Sequence, residues 1–227
     1  MERNFRRCRI PGVLGFVDGT LIPIKQPVER EELLVCRKGF HALNAQIICD
    51  TENHILNVLS RFNGSANDSY IWSNSSVRTE LENIWANGER CWLLGDSGYP
   101  LEPWLHVPYA QNDAGPNKEI YNEFHRRARS VVERTIGLLK GRFRCLLRHR
   151  VLHYEPLKAS RVINACCVLH NICTRANLEL DEDQHKGEEG ERQARGVPDL
   201  QGEVRRRNPL RQEAEQVRNG VALRLRR

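Results

Sequence analysis

The sequence predicts an α/β domain: a mixed sheet, made of an antiparallel three-strand meander continued by parallel strands, with helices packed against it. Three observations lead there. Short β-rich runs separated by turn signals fill the N-terminal third. A helical pattern follows them and gives way to another short apolar run. The longest helical pattern of the chain comes next, so the order changes from strand–strand–strand to helix–strand–helix, which adds strands in parallel.

The elements follow in order. GVLGFVDGT is an apolar run stopped by Asp18-Gly19, with LIPIK directly behind it, and reads as two strands joined by a tight turn. HALNAQIICDT and HILNVLSRF are two more β-rich runs parted by Glu52-Asn53, a hairpin signal. After Asn63-Gly64-Ser65, ANDSYIWSNSSVRTELENIW places Ile71, Trp72, Val77, Leu81 and Trp85 at helical spacing, with a break expected at the serines. CWLLGDSGYP is a buried strand that again stops at an aspartate, Asp96, and EPWLHVPYAQNDAGP is a proline-rich loop. NKEIYNEFHRRARSVVERTIGLLKGRF carries the stripe Val132, Ile136, Leu139 and Phe143 on one helix face. Glu133 lies beside that stripe, in a row with Arg126, Arg129, Gly137 and Lys140. CLLRHRVLHY is a strand or extended connector, and residues 156–178 form a last core helix.

These elements divide the chain into a remnant over 1–12, one folded domain over 13–178 and a charged tail over 179–227. The tail has too few apolar residues to offset its ordering entropy and is expected to be disordered. The 227 residues are 40% hydrophobic and carry a net charge of +6, with a pI near 9.0, a balance suited to a phosphate-bearing partner. No run approaches the roughly 18 apolar residues of a membrane span, and MERNFRRCRIPG has no signal-peptide core. An intracellular protein is therefore expected, and the eight cysteines read as reduced core thiols. Cys166, Cys167, His170 and Cys173 stand at spacings that present thiols and imidazole to zinc, but small cysteines packing in an amphipathic helix are the better account.

Asp18 on the first strand, Asp96 on the strand after the helix and Glu133 on the long helix are the acids that matter. In a mixed sheet the two strands can lie side by side, and a helix across them adds the glutamate. Each acid also has an ordinary reading, since Asp18 and Asp96 precede glycine-containing turns and Glu133 sits among arginines. Three carboxylates brought to one place repel one another, and a divalent cation is the natural compensation. Mg²⁺ prefers such hard oxygen ligands, and two ions roughly 4 Å apart cleave phosphodiesters by activating a nucleophile and stabilising the leaving oxygen.

GFVDGT, RKGFHALNAQ, NGSANDSYIW, WLLGDSGYP, SVVERTIGLLKGRF and ACCVLHN, in this order, resemble the PIF/Harbinger transposases and the nucleases derived from them. The resemblance covers about residues 10–178. It implies an RNase H-like fold and an Asp-Asp-Glu metal site at Asp18, Asp96 and Glu133, with Mg²⁺ or Mn²⁺ as cofactor and DNA as substrate. The interval between Asp96 and Glu133 (133 − 96 = 37) is close to that of the family. The resemblance also maps an acidic position onto Asp68, as a metal ligand or an anchor for one. Arg37 and Lys38, with His41 and Asn44, read as a substrate-side group, and Arg126, Arg129, Lys140 and Arg142 as contacts to the DNA backbone. Of the four tryptophans, Trp104 in the proline-rich loop is the best placed to stack on a base.

Family members carry a helical region before the first strand, for which Met1–Pro11 leave no room. Recognition of a particular DNA then falls to a partner, and in these transposons that partner is a Myb-like DNA-binding protein. Two functions stay open: an active metal-dependent endonuclease, or a catalytically inactive DNA-binding and assembly protein. A nuclear location is expected from the DNA substrate and from the arginines at 205–207.

Overall fold

The computed structural model describes residues 9–26, 34–110, 115–178 and 209–225. A five-stranded sheet runs through its centre, in the order β3–β2–β1–β4–β5. The strands are β1 (Val13–Pro23), β2 (Ala42–Cys49), β3 (Ile55–Asn63), β4 (Trp92–Leu94) and β5 (Leu105–His106). β1, β2 and β3 pair antiparallel, and β4 and β5 join parallel to β1. This is the expected mixed, RNase H-like α/β arrangement.

The Asp18-Gly19 turn is not made. β1 is one strand of eleven residues with Asp18 at its middle, because β2 pairs with it without interruption from Phe16 to Pro23. A backbone already satisfied by a neighbouring strand has no reason to fold back at Asp-Gly. The loop after β4 was incompletely read for the opposite reason: Leu105–His106 is too short to show a period, yet it pairs with Leu93–Leu94 and forms the sheet edge.

Helices α1 (Asp68–Ser73) and α2 (Ser76–Ala86) are the expected broken segment. The break occurs because Ser75 caps a new helix, its hydroxyl accepting from Val77 N at 3.3 Å. The long helix α3 (Pro116–Arg142) starts with proline after Gly115 and buries Tyr121, His125, Ala128, Val132 and Leu139 against the sheet. A single 3₁₀ turn, Arg144–Leu146, and an isolated bridge between Ile24 and Leu152 make up the expected connector. α4 (Pro156–Arg175) packs on β3, where Asn171 bonds both N and O of Ile55 and Ser60 Oγ donates to Asn164 Oδ1.

The expectation of a disordered tail fails for Pro209–Arg224, which form helix α5; residues 179–208 and 226–227 lie outside the described residues. Averaged over the tail, apolar content is low, but Leu210, Ala214, Val217 and Val221 repeat at i, i+4, i+7 and i+11. They pack into the main core with Tyr121 and Leu105. The buried Arg218 donates to the carbonyls of Val107 and Pro108 and stacks on Tyr109 at 3.7 Å, and Tyr109 donates to Asn219 at 2.7 Å. The folded unit therefore extends past residue 178. At the other end, Ile10 is fully buried in the same core, so part of the 1–12 segment belongs to it as well. No helix among the described residues is long and apolar enough to cross a membrane.

Candidate metal centre

β4 is the element that opens the site. It pairs with β1 only from Val13 to Phe16 and ends at Leu94, so beyond Phe16 β4 no longer pairs with β1. The parallel register sets Phe16 opposite Leu94, and both aspartates come two residues later in their chains, Asp18 and Asp96. Asp96 therefore follows the end of β4 at the level where Asp18 sits mid-strand in β1. A crevice at the carboxyl ends of parallel strands, where the sheet order turns, is where α/β folds place their chemistry.

Successive residues of a strand face opposite sides. On one side Asp18, 1% exposed, points toward α3. Its Oδ1 accepts from Gly19 N at 2.9 Å, and its Oδ2 accepts from Arg129 Nη2 at 3.3 Å. The same nitrogen reaches Glu133 Oε1 at 3.3 Å, so the two carboxylates lie within twice that distance of each other. Arg129 thus turns inward between the two acids rather than out to solvent. An i, i+4 pair anticipated as an ordinary surface contact is a bridge into the sheet.

On the other side Asp68, in the first turn of α1, lies over Gly19. A Cβ on Gly19 would collide with Asp68 Oδ1 and stand 3.1 Å from Asn44 Oδ1. Gly98 performs the same service for the loop after β4: a Cβ there would stand 3.0 Å from Asp96 Oδ1 and 3.4 Å from Asp68 Oδ2. Asp96 Oδ1 meanwhile accepts from Gly98 N at 2.9 Å. Two glycines therefore leave the room in which Asp68 bridges from Asp18's strand to Asp96's loop. That loop is tied back to α1 and α2 by the buried Glu102, which accepts from Trp72 Nε1 at 2.8 Å and from Arg78 at 2.9 Å.

Tyr99 reports on the gathered charge. Its ring packs on Gly95 and edge-on to Trp72, with the hydroxyl buried and unpartnered. Burial pushes the phenol well above its usual range, and Asp68, Asp18 and Asp96 push it the same way against Arg129. Three carboxylates from three elements thus share one field. Behind them, burial holds His106 and His125 down to about 3. Both are neutral packing groups, and His106 stacks on Trp92 at 4.7 Å.

The remaining predicted positions separate. Arg37, Lys38 and Arg126 are exposed. Lys140 is 5% exposed, and the half-buried Arg142 caps the end of α4 through Thr174 Oγ1 at 2.8 Å and the carbonyls of His170 and Leu178, which occupy its donors. Trp104 is 1% exposed and belongs to the core, not to a stacking surface. Cys166 and Cys167 are buried thiols pushed up to about 12, while His170 Nε2 meets Asn53 O at 2.9 Å and its Nδ1 meets Arg142 at 3.2 Å. That imidazole is used in packing.

A second acidic group escaped the sequence reading. Asp50, Glu52 and His54 in the β2–β3 turn form the one set, among the described residues, whose metal-ligating atoms all lie within 4.8 Å of one another. Asp50 Oδ1 accepts from the backbone N of Glu52 and His54 at 2.8 and 2.9 Å, Oδ2 meets His54 Nδ1 at 3.3 Å, and Asn53 takes φ +64°. This is an Asx turn closing a hairpin.

Fold and site together define an α/β protein with carboxylates gathered around the middle of β1 and the end of β4. Residues 17–171 match the family model described as DDE superfamily endonuclease. The chain is 37% identical over 172 residues to HARBI1 of Bos taurus and of Homo sapiens, covering 75% of this chain and 48% of each relative, and 27% identical over 189 residues to Protein ALP1-like of Arabidopsis thaliana, covering 77% and 46%. The chain belongs to the DDE superfamily endonucleases, in the branch derived from Harbinger transposases. It spans about half the length of the curated relatives it matches. No solved structure matches it.

Proposed function

We propose that this chain is a divalent-metal-dependent DNA endonuclease that hydrolyses phosphodiester bonds at Asp18, Asp96 and Glu133, with Asp68 as a further metal ligand. The observation that supports the reading is the strand register, in which Phe16 pairs with Leu94 and Asp18 and Asp96 each follow two residues later. Family membership supports it, as does the name of HARBI1, which refers to a nuclease.

The residues fit Mg²⁺ or Mn²⁺. The acids offer hard oxygens, and with glycine at positions 19 and 98 no Cβ intrudes on the carboxylates of Asp68 and Asp96. When bound, the ions polarise the scissile phosphate and lower the pKa of the attacking water. The protein's own part is positional. Sheet pairing fixes Asp18, the Glu102 network fixes the Asp96 loop against α1, and α3 carries Glu133 and Arg129 across the opening. Arg129 offsets the negative charge of Asp18 and Glu133, and its guanidinium is suited to bind a phosphate oxygen once a cation takes those carboxylates. Arg37, Lys38 and Arg126 supply exposed positive charge for the DNA backbone, giving salt-dependent affinity without base readout. A Myb-like partner would choose the site, and the nucleus is the corresponding location.

Arg129 also favours a second reading. A site whose acids are neutralised by the protein's own cation suits a DNA-binding protein that no longer cuts. Nicking of supercoiled plasmid with Mg²⁺ or Mn²⁺ decides between the two. The nuclease reading expects nicking by the wild type and none by Asp96→Ala. Absence of nicking, or nicking that survives the substitution, rejects it.

A further inference from the structure

The face of β1 that meets Asp68 holds polar groups the Asp-Asp-Glu site does not use. Asn44 on β2 is 7% exposed. Its amide orientation is settled by the donation of Nδ2 to Ala66 O at 3.0 Å, which forces Oδ1 the other way, toward the space over Gly19 where Asp68 Oδ1 also stands. Oδ1 has no hydrogen-bond partner. Gln46, fully buried and paired in register with Gly19, points to the same face, and neither atom of its amide has a partner. Buried amides without partners are rare and call for a water, an ion or a ligand. Here the company is a carboxylate, and an amide oxygen beside a carboxylate oxygen is a donor set for a hard divalent cation.

We propose that Asn44 supplies a neutral oxygen ligand, alongside Asp68, to a divalent cation on the face of β1 opposite Arg129 and Glu133, with Gln46 bonding to that cation's hydration. The inference rests on the metal-site reading above and adds a ligand to it. Its physical basis is that a neutral oxygen stabilises a cation without adding to the repulsion among Asp18, Asp68 and Asp96. The residue belongs to β2, so the central hairpin of the sheet contributes to binding as well as support.

The test is Mn²⁺ binding to the full chain by calorimetry and electron paramagnetic resonance, with unfolding followed in the absence of metal. Asn44→Ala is expected to weaken Mn²⁺ binding about tenfold, in the range found when ligand-supporting groups are lost. Asn44→Asp keeps an oxygen at the site but cannot donate to Ala66 O. A ligand role predicts that Asp restores binding to within about threefold of wild type. A role confined to holding the Ala66 loop predicts that Asp is as poor as Ala or worse, and that result overturns the proposal, as does Asn44→Ala binding like wild type. Asp96→Asn separates the two readings: if the wild type binds no Mn²⁺, or Asp96→Asn binds as well as wild type, the metal site itself is wrong.

Discussion

Two acidic clusters sit on the same sheet, and the more compact one is built within a single turn. Asp50, Glu52 and His54 bring their ligand atoms within 4.8 Å of one another, yet the turn itself engages Asp50 through hydrogen bonds from two backbone N–H groups and a contact with the His54 imidazole. Asp18, Asp68, Asp96 and Glu133 are spread over four elements and both faces of β1. They are surrounded by groups with unmet bonding capacity, Tyr99 Oη, Asn44 Oδ1 and Arg129 Nε. Local sequence makes the first cluster, because three residues in five turn positions cannot avoid one another. Tertiary structure makes the second, at the cost of burying Asp18. The proposed reading puts the metal at the second cluster, whose convergence the fold must maintain.

The largest effects should divide the clusters cleanly. Asp18→Asn and Asp96→Asn are expected to lower metal-dependent plasmid nicking by more than about a hundredfold, beyond the loss typical of supporting groups. Asp50→Asn with Glu52→Gln should leave it within about twofold. Equal losses from both sets would erase the distinction. Next comes Gly19→Ala, whose methyl collides with Asp68 Oδ1. Calorimetry should show Mn²⁺ affinity reduced at least about tenfold while circular dichroism keeps the native spectrum. Unchanged binding would mean that Asp68 has no fixed place in the site.

Arg129→Gln sharpens the comparison further. Its removal leaves Asp18 buried without its cation and should cost about 2 kcal/mol in metal-free urea unfolding. Added Mn²⁺ should then stabilise the variant more than it stabilises wild type, since guanidinium and metal compete for the same oxygens. A smaller metal-induced rise in Tm than wild type would show that Arg129 assists rather than competes.

Acidity acts beneath the metal centre. His106 and His125 are held near 3 in the folded protein against an ordinary 6.5. Above 6.5 both states are neutral and stability is complete. As pH falls from 6.5 toward 3 the unfolded chain binds protons that the folded one refuses, and each histidine removes up to about 1.4 kcal/mol per pH unit. Urea unfolding at pH 7.5 and 5.5 should show this loss, and His106→Phe, which keeps the stack on Trp92, should make that slope shallower. An identical slope in the variant would mean that His106 is protonated in the folded state. The smallest effect belongs to the hairpin: Asp50→Ala should cost only about 1 kcal/mol, the worth of its turn hydrogen bonds.

How far all this was legible in the sequence follows from the range of each interaction. The meander, the broken helix, the long helix and the three acids announce themselves through period, turn residues and motif, all of which are local. Asp18 as a turn residue was a local inference undone by β2, whose pairing straightens Asp-Gly into mid-strand. Helix α5 was hidden by averaging, although its i, i+4, i+7 apolar stripe was present in the residues. Arg129's inward turn, the burial of Lys140, Arg142's cap on α4 and the role of Glu102 depend on neighbours distant in the chain. No pattern within one segment encodes them. Asn44 could be singled out from its motif, but its unpartnered oxygen exists only once Ala66 has claimed the other end of the amide.

The most direct test is to locate the cation itself, by anomalous scattering from crystals of the full chain soaked in Mn²⁺. The account predicts density between Asp18 and Asp96 where β4 no longer pairs with β1, within ligand distance of their carboxylates. Density confined to the Asp50–His54 turn, or none at the strand edge while the turn is filled, would contradict it.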